Sequence, residues 1–226
     1  MLRVTEIFRS IQGESTHAGR PCTFVRLTGC PMRCVWCDSE YTFSGGRTMS
    51  QDEVMAEVLA LAPVKLVEIT GGEPMLQEQE AVALMQRLLD ESYTVMLETS
   101  GERPLQNVPS AVHKIVDVKC PASGEGGTFL LSNIEALGSR DEVKFVIASR
   151  EDYDYARDFT RQHGLAERAS SVIFSPAFRQ DAAGRSVENA LLDPQQLVQW
   201  VLADGLNVRV GLQIHKFIWD AAAKGV

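Results

Sequence analysis

Six short apolar runs, Thr23–Leu27, Leu66–Ile69, Thr94–Leu97, Ile115–Val118, Val143–Ile147 and Val172–Phe174, recur along the chain with room for a helical segment between neighbours. A weaker run, Val208–Leu212, follows. Runs this short, bounded by glycine and proline, mark strands buried on both faces, as in parallel sheets covered by helices. Parallel neighbours need a crossover, so strand and helix should alternate. The helices carry start signals. Ser50-Gln51-Asp52-Glu53 has the Ser-x-x-Glu form of a capping box, with Val54, Val58, Leu59 and Leu61 as the expected apolar face. Ser149 can cap a helix ending near His163-Gly164, and Asp193-Pro194 reads as an N-cap followed by proline at the first helical position. The alternation predicts an α/β fold with a parallel sheet curled toward a partial barrel of (β/α)6 type, in one domain over residues 1–226. Working residues of such folds lie at the carboxyl ends of the strands.

Charge narrows the partners. Lys and Arg number 22 against 30 Asp and Glu, a formal charge of −8, with no concentrated basic stretch. Nucleic-acid binding, which needs such a surface to displace counterions, is not expected. No apolar run approaches the roughly 18 residues of a membrane span, and Met1–Glu6 lacks the apolar core of a signal peptide. The expected setting is cytoplasmic and the expected partner a small molecule. In a reducing compartment the five cysteines, at 22, 30, 34, 37 and 120, read as metal or redox ligands rather than as disulfides.

Cys30-Pro31-Met32-Arg33-Cys34-Val35-Trp36-Cys37 spaces three thiols as C-x3-C-x2-C directly after Thr23–Leu27. Thiolates are soft donors that suit iron–sulfur clusters, zinc or copper(I). Structural zinc normally takes four ligands, whereas Cys120 stands alone and His17 precedes the loop by 13 residues. A redox Cys-x-x-Cys pair would leave Cys30 without a purpose. Three thiolates on a 4Fe–4S cube leave one iron open. The spacing resembles that of the radical S-adenosylmethionine (SAM) superfamily, whose members hold SAM on that iron and cleave it to a 5′-deoxyadenosyl radical. The resemblance implies Cys30, Cys34 and Cys37 as cluster ligands and Trp36 and Asp38 as SAM contacts. Thr70-Gly71-Gly72-Glu73-Pro74 resembles the superfamily's GGEP motif, which would put Gly72 at the SAM amino group. Glu98, Asp117, Lys119 and Ser175, at or beside later strand ends, match stretches that line the SAM site. Cys120 reads instead as a small buried residue.

Further motifs select within the superfamily. Ile11-Gln12-Gly13-Glu14-Ser15 resembles the IQGEG segment of the 7-carboxy-7-deazaguanine synthases, with Ser15 in place of the second glycine. In that family Gln12, Gly13 and Glu14 would read a pterin edge, with Thr70 also at the substrate. Arg26 would hold the substrate carboxylate, and the Ser39 hydroxyl would help hold Mg²⁺. The ending Lys224-Gly225-Val226 would bring the Val226 carboxylate back to the substrate. The implied reaction converts 6-carboxy-5,6,7,8-tetrahydropterin to 7-carboxy-7-deazaguanine with loss of ammonia, toward queuosine and other deazapurines. Implied too are a compact barrel variant, a homodimer, and an electron donor such as flavodoxin or ferredoxin. Two other readings stay open on sequence. A glycyl-radical-activating enzyme shares the cysteine spacing but not the Ile11–Glu14 segment, and a zinc-binding interaction module would be colourless where an iron–sulfur protein is brown.

Overall fold

The structure is a computed structural model and describes residues 1–179, 189–220 and 223–225. Its strands are β1 (Leu2–Ile11), β2 (Pro21–Leu27), β3 (Arg47–Met49), β4 (Leu66–Gly71), β5 (Thr94–Thr99), β6 (His113–Asp117), β7 (Glu142–Ile147), β8 (Ser171–Pro176) and β9 (Arg209–Val210). They form one open sheet in the order β3-β1-β2-β4-β5-β6-β7-β8-β9. From β2 onward every neighbouring pair is parallel. The six apolar runs are β2 and β4 to β8, and their burial on both faces explains why they read as unbroken apolar stretches. The weaker seventh run yields only the two residues of β9.

At the other edge β1 lies antiparallel on β2, and β3 antiparallel on β1. The apolar runs did not mark β1, and its register shows why. Val4 faces Leu27, then the register shifts, and Glu6 faces Arg26 while Phe8 faces Phe24. One extra residue in a strand reverses which face the following side chains take. Leu2 and Val4 therefore join the main core under the helices, while Phe8 joins a small inner cluster with Cys22, Phe24, Leu66, Met96 and Ile115.

The helices are α1 (Gln51–Ala60), α2 (Glu78–Asp90), α3 (Arg150–His163), α4 (Leu165–Arg168), α5 (Pro194–Asp204) and α6 (His215–Ile218). Both arms of the Ser50–Glu53 capping box are formed. The buried stripe of α1 is Val54, Met55 and Val58; of the expected face Leu61 is half-buried and Leu59 is 49% exposed, and Met55 takes a core place that was not expected. Ser149 caps α3, which closes on a left-handed Gly164, and Asp193 caps α5. Helices do not fill every crossover. No regular helix joins β5 to β6, and only 3-10 turns at Pro121–Ser123 and Leu131–Ala136 lie between β6 and β7. Loop backbone must still be satisfied when buried. Asn133 does this, accepting from the Leu105 N–H and donating to the Gly101 and Arg103 carbonyls. No helix among the described residues is long and apolar enough to cross a membrane.

Candidate active site

A cavity of about 300 Å³ opens at the carboxyl ends of the parallel strands. The inner face of the sheet turns from apolar to charged on the way up. Phe24, Met96 and Ile115 form its base, and Arg26, Thr70, Glu98, Asp117 and Lys144 reach the cavity from successive strands.

Cys30, Cys34 and Cys37 are free, half-buried and all line this cavity. Their loop is pinned to its surroundings through backbone. The Val35 N–H donates to the Ser123 carbonyl at 2.9 Å, and the Glu73 N–H to the Gly29 carbonyl at 2.8 Å. A methyl group at Gly72 would sit 2.3 Å from the Gly29 oxygen and 2.8 Å from Cys30 Cβ. The paired glycines thus let the turn after β4 press onto the cysteine loop. Glu73, buried, holds that turn by accepting from the Met75 and Ser100 N–H groups and from the Thr99 and Ser100 hydroxyls. Among the described residues no three His, Cys, Asp or Glu side chains converge as a single-ion site requires. In a 4Fe–4S cube each thiolate binds its own iron, so three ligands need only border a common space. These three do, and the donor set fits the cluster. Burial pushes the Cys34 thiol up to about 11, opposed by the nearby Lys119 ammonium.

Lys119 also donates to Asp117 Oδ2 at 2.8 Å, while Asp117 Oδ1 is buried with no hydrogen-bond partner among the described residues. An orphaned acceptor at a cavity wall is a place for a ligand donor. Trp36, Gly72 and Glu98 line the same space. Ser175 is not among its lining residues: it is buried, and a Cβ at Gly211, the residue after β9, would lie 2.9 Å from its hydroxyl. Cys120 is buried, as expected of a packing residue.

On β2 Arg26 Nε donates to Glu6 at 2.9 Å, and the Tyr41 hydroxyl donates to the same oxygen at 2.7 Å. The guanidinium lies over the Phe8 ring. Glu6 and Phe8 are in place because of the register shift in β1. Nε is occupied, and among the described residues no hydrogen bond engages the terminal nitrogens.

The loop after β1 supplies Gln12, Gly13 and Glu14. Gln12 is buried and already engaged, donating to Glu68 and accepting from the Glu14 N–H. Glu14 accepts from Lys144 Nζ and Gln213 Nε2, both at 2.7 Å. Burial alone would raise the Glu14 carboxyl, but Lys144 and then His215 outweigh it and lower it to about 2. Lys144 is itself buried, ion-paired also to Glu98, with Asp117 at 3.6 Å. Burial opposes its charge; these carboxylates hold it protonated, well above the usual lysine range. Neither Lys144 nor Glu68 was singled out from sequence.

A strap formed by residues 213–219 closes this end. The Ile214 N–H donates to the Gly13 carbonyl, His215 packs on Gly13, and Lys216 pairs with Asp38 at 3.0 Å. Ser39 Oγ donates to Asp38 Oδ1 at 3.0 Å. Lys224 lies over the Tyr41 ring and Gly225 lines the cavity, so the tail returns to the site; Val226 lies outside the described residues.

Ser15 has φ 59°, the left-handed region that favours glycine. Its Oγ accepts from the His17 N–H at 2.9 Å. Ser15→Ala should keep the strain and lose the bond, costing about 1 kcal/mol. Ser15→Gly should lose the bond and relieve the strain, staying within about 0.5 kcal/mol of the parent. Urea denaturation of the three proteins checks this.

A profile described as the radical SAM superfamily matches residues 24–122. The chain is 64% identical over 226 residues to the 7-carboxy-7-deazaguanine synthase of Koribacter versatilis, covering 100% of both chains. It is 43% identical to that of Chlorobaculum tepidum, covering 100% of this chain and 97% of the relative. Among solved structures it is similar to QueE from Escherichia coli, with a TM-score of 0.72, 21% identity and 93% of each chain covered.

Proposed function

Because the chain belongs to the 7-carboxy-7-deazaguanine synthases, a radical SAM family, we propose that its cavity takes 6-carboxy-5,6,7,8-tetrahydropterin between Arg26 and the Glu14 loop. The protein is a radical SAM lyase of the queuosine route, which displaces the glycyl-radical-activating and zinc-module readings. The observation that carries the substrate assignment is the oriented Arg26 facing the same cavity as three thiols.

When bound, the cluster and SAM supply a 5′-deoxyadenosyl radical that takes hydrogen from C6 of the pterin. Cys30, Cys34 and Cys37 would hold the cluster. Asp117 Oδ1, with Trp36, Asp38, Gly72, Glu98 and Lys119 lining the same cavity, would receive SAM; Ser175 would act on that site from behind Gly211. Arg26 would fork its two terminal nitrogens onto the substrate carboxylate, a geometry lysine cannot reproduce. Glu14 stays ionised beside Lys144 and can accept N–H groups from the pyrimidine edge, while Gln12 fixes the Glu14 backbone. Gly13 and Thr70 border the ring. Ser39, next to an ionised Asp38, offers hard oxygen suited to Mg²⁺ near the substrate carboxylate. The Val226 carboxylate is proposed as a further substrate contact. The strap excludes water from this space. A homodimer, a flavodoxin- or ferredoxin-type donor and a cytoplasmic location complete the proposal, supported by family resemblance and by five unpaired cysteines.

The test is anaerobic incubation of cluster-reconstituted enzyme with the carboxylated pterin, SAM and reductant, with and without Mg²⁺. Equal amounts of 7-carboxy-7-deazaguanine and ammonia are expected, with faster turnover when Mg²⁺ is present. SAM cleavage without the deazaguanine overturns the substrate assignment.

A further inference from the structure

Glu68 stands one layer below the charged rim, on the inner face of β4. It is 1% exposed, and its register neighbours are Phe24 on β2 and Met96 on β5, both members of the apolar inner cluster. A carboxyl group among such neighbours needs a specific reason to be there. We propose that Glu68 is a positioning residue for the substrate: its carboxyl group, shared between Gln12 and Glu98, fixes both side chains on the floor of the cavity. The inference rests on the function proposed above and concerns a residue that the motifs do not reach.

The geometry requires a proton. Gln12 Nε2 donates to Glu68 Oε2. The other partner is Glu98, which lies on the same face of the neighbouring strand, two residues beyond Met96 and diagonal to Glu68, where two long side chains can reach each other. Two carboxyl groups within reach of one another and away from water are held together by a proton on one of them. Glu98 has Lys144 as its cation; among the described residues Glu68 has none. The proton therefore belongs to Glu68, which donates to Glu98 and accepts from Gln12. Burial first, and the Glu98 charge second, hold the Glu68 carboxyl well above the ordinary range. The groups bearing on it are Cys22 from β2, Glu14 from the loop after β1 and Glu98 from β5, with Lys144 of β7 behind Glu98. Of these only Lys144 is cationic, and it is already tied to carboxylates.

Such a group acts through its neighbours. Gln12 orients the Glu14 N–H, and Glu98 anchors Lys144, which in turn anchors Glu14. The substrate-facing carboxylate is thus held from two directions that meet at Glu68.

Glutamine copies the neutral acid, one donor and one acceptor at the same distance, whereas methionine keeps the bulk and removes both bonds. In the holoenzyme, Glu68→Gln should keep kcat/KM within about threefold of the parent, since both bonds survive. Glu68→Met should raise KM for the pterin about 10- to 100-fold, because it orphans Gln12 and Glu98. Inactive Glu68→Gln, or Glu68→Met with an unchanged KM, overturns the proposal. A second measurement needs no turnover: thermal melting of parent and Glu68→Gln, both cluster-loaded and without SAM or substrate, across pH. Above the ordinary carboxyl range the folded parent binds a proton that the unfolded chain has lost, so its stability falls as pH rises. Glutamine removes that slope. The melting temperature of Glu68→Gln should gain on the parent from pH 5 to pH 8; a difference independent of pH overturns the proposal. Should the parent itself convert no pterin, the proposed function falls, while the melting comparison still decides whether Glu68 bears the proton.

Discussion

Lys144→Met is expected to destabilise the folded chain by about 3–5 kcal/mol, the cost of leaving buried charges without their partner, and to abolish turnover. The lysine side chain is only 3% exposed, with Glu14 at 2.7 Å and Asp117 at 3.6 Å. Its third partner, Glu98, comes from another strand. Without the ammonium these carboxylates face one another across a space that water reaches poorly. Methionine matches the length of the lysine stem, so the loss measures charge rather than a cavity. The deficit should shrink from pH 8 to pH 5, as the stranded carboxylates begin to take up protons in the folded state. Glu14→Gln in the Lys144→Met background should recover part of the loss, since it removes one of the stranded charges. Urea denaturation of the cluster-loaded proteins under anaerobic conditions provides the numbers. A change below about 1 kcal/mol, the scale of an exposed pair, would mean that these groups are solvated.

Arg26→Ala is expected to raise KM for the carboxylated pterin about 100-fold, equivalent to about 3 kcal/mol, which lies within the range for truncating one partner of a buried charge pair. SAM affinity should change far less, because Arg26 stands on β2, separated by β4 and β5 from the Asp117–Lys119 pair at the end of β6. Arg26→Lys should recover only a fraction, since an ammonium cannot offer two parallel N–H groups. Glu6 and Tyr41 add a control: Glu6 holds Arg26 Nε and the Tyr41 hydroxyl holds Glu6 in turn, so Tyr41→Phe should cost less than Arg26→Ala. Steady-state kinetics together with equilibrium SAM binding separate the two sides of the cavity. Equal losses in pterin and SAM affinity would contradict the assignment.

Much of this site was legible because its chemistry sits in unbroken local patterns. Three thiols within eight residues need no tertiary information, and six of the parallel strands announce themselves because both of their faces are buried. The apolar runs hid as much as they showed. Glu68 and Lys144 are written inside Leu66–Ile69 and Val143–Ile147, and a charge inside a buried strand is itself a signal. What they meet depends on strand register, which the runs do not encode. Gln213 is still less accessible, since its partner Glu14 lies 199 residues away. Ser175 shows the reverse limit: it stands near a strand end, as expected, but Gly211, brought against its hydroxyl by the chain after β9, comes from far along the sequence. The crossovers after β5 and β6 depart from the expected alternation; in the first of them Asn133 satisfies backbone groups of Gly101, Arg103 and Leu105, a long-range contact that local patterns do not encode.

The irregular step near Thr5 makes the first strand behave like a text with one inserted letter. Before it, alternate side chains address the helices; after it, the same alternation addresses the ligand. Excising that single position would leave composition and hydropathy almost untouched, yet would aim Glu6 and Phe8 away from the guanidinium they support. Sequence drift at this edge is therefore constrained by parity more than by residue type: substitutions are tolerable where a one-residue deletion is not.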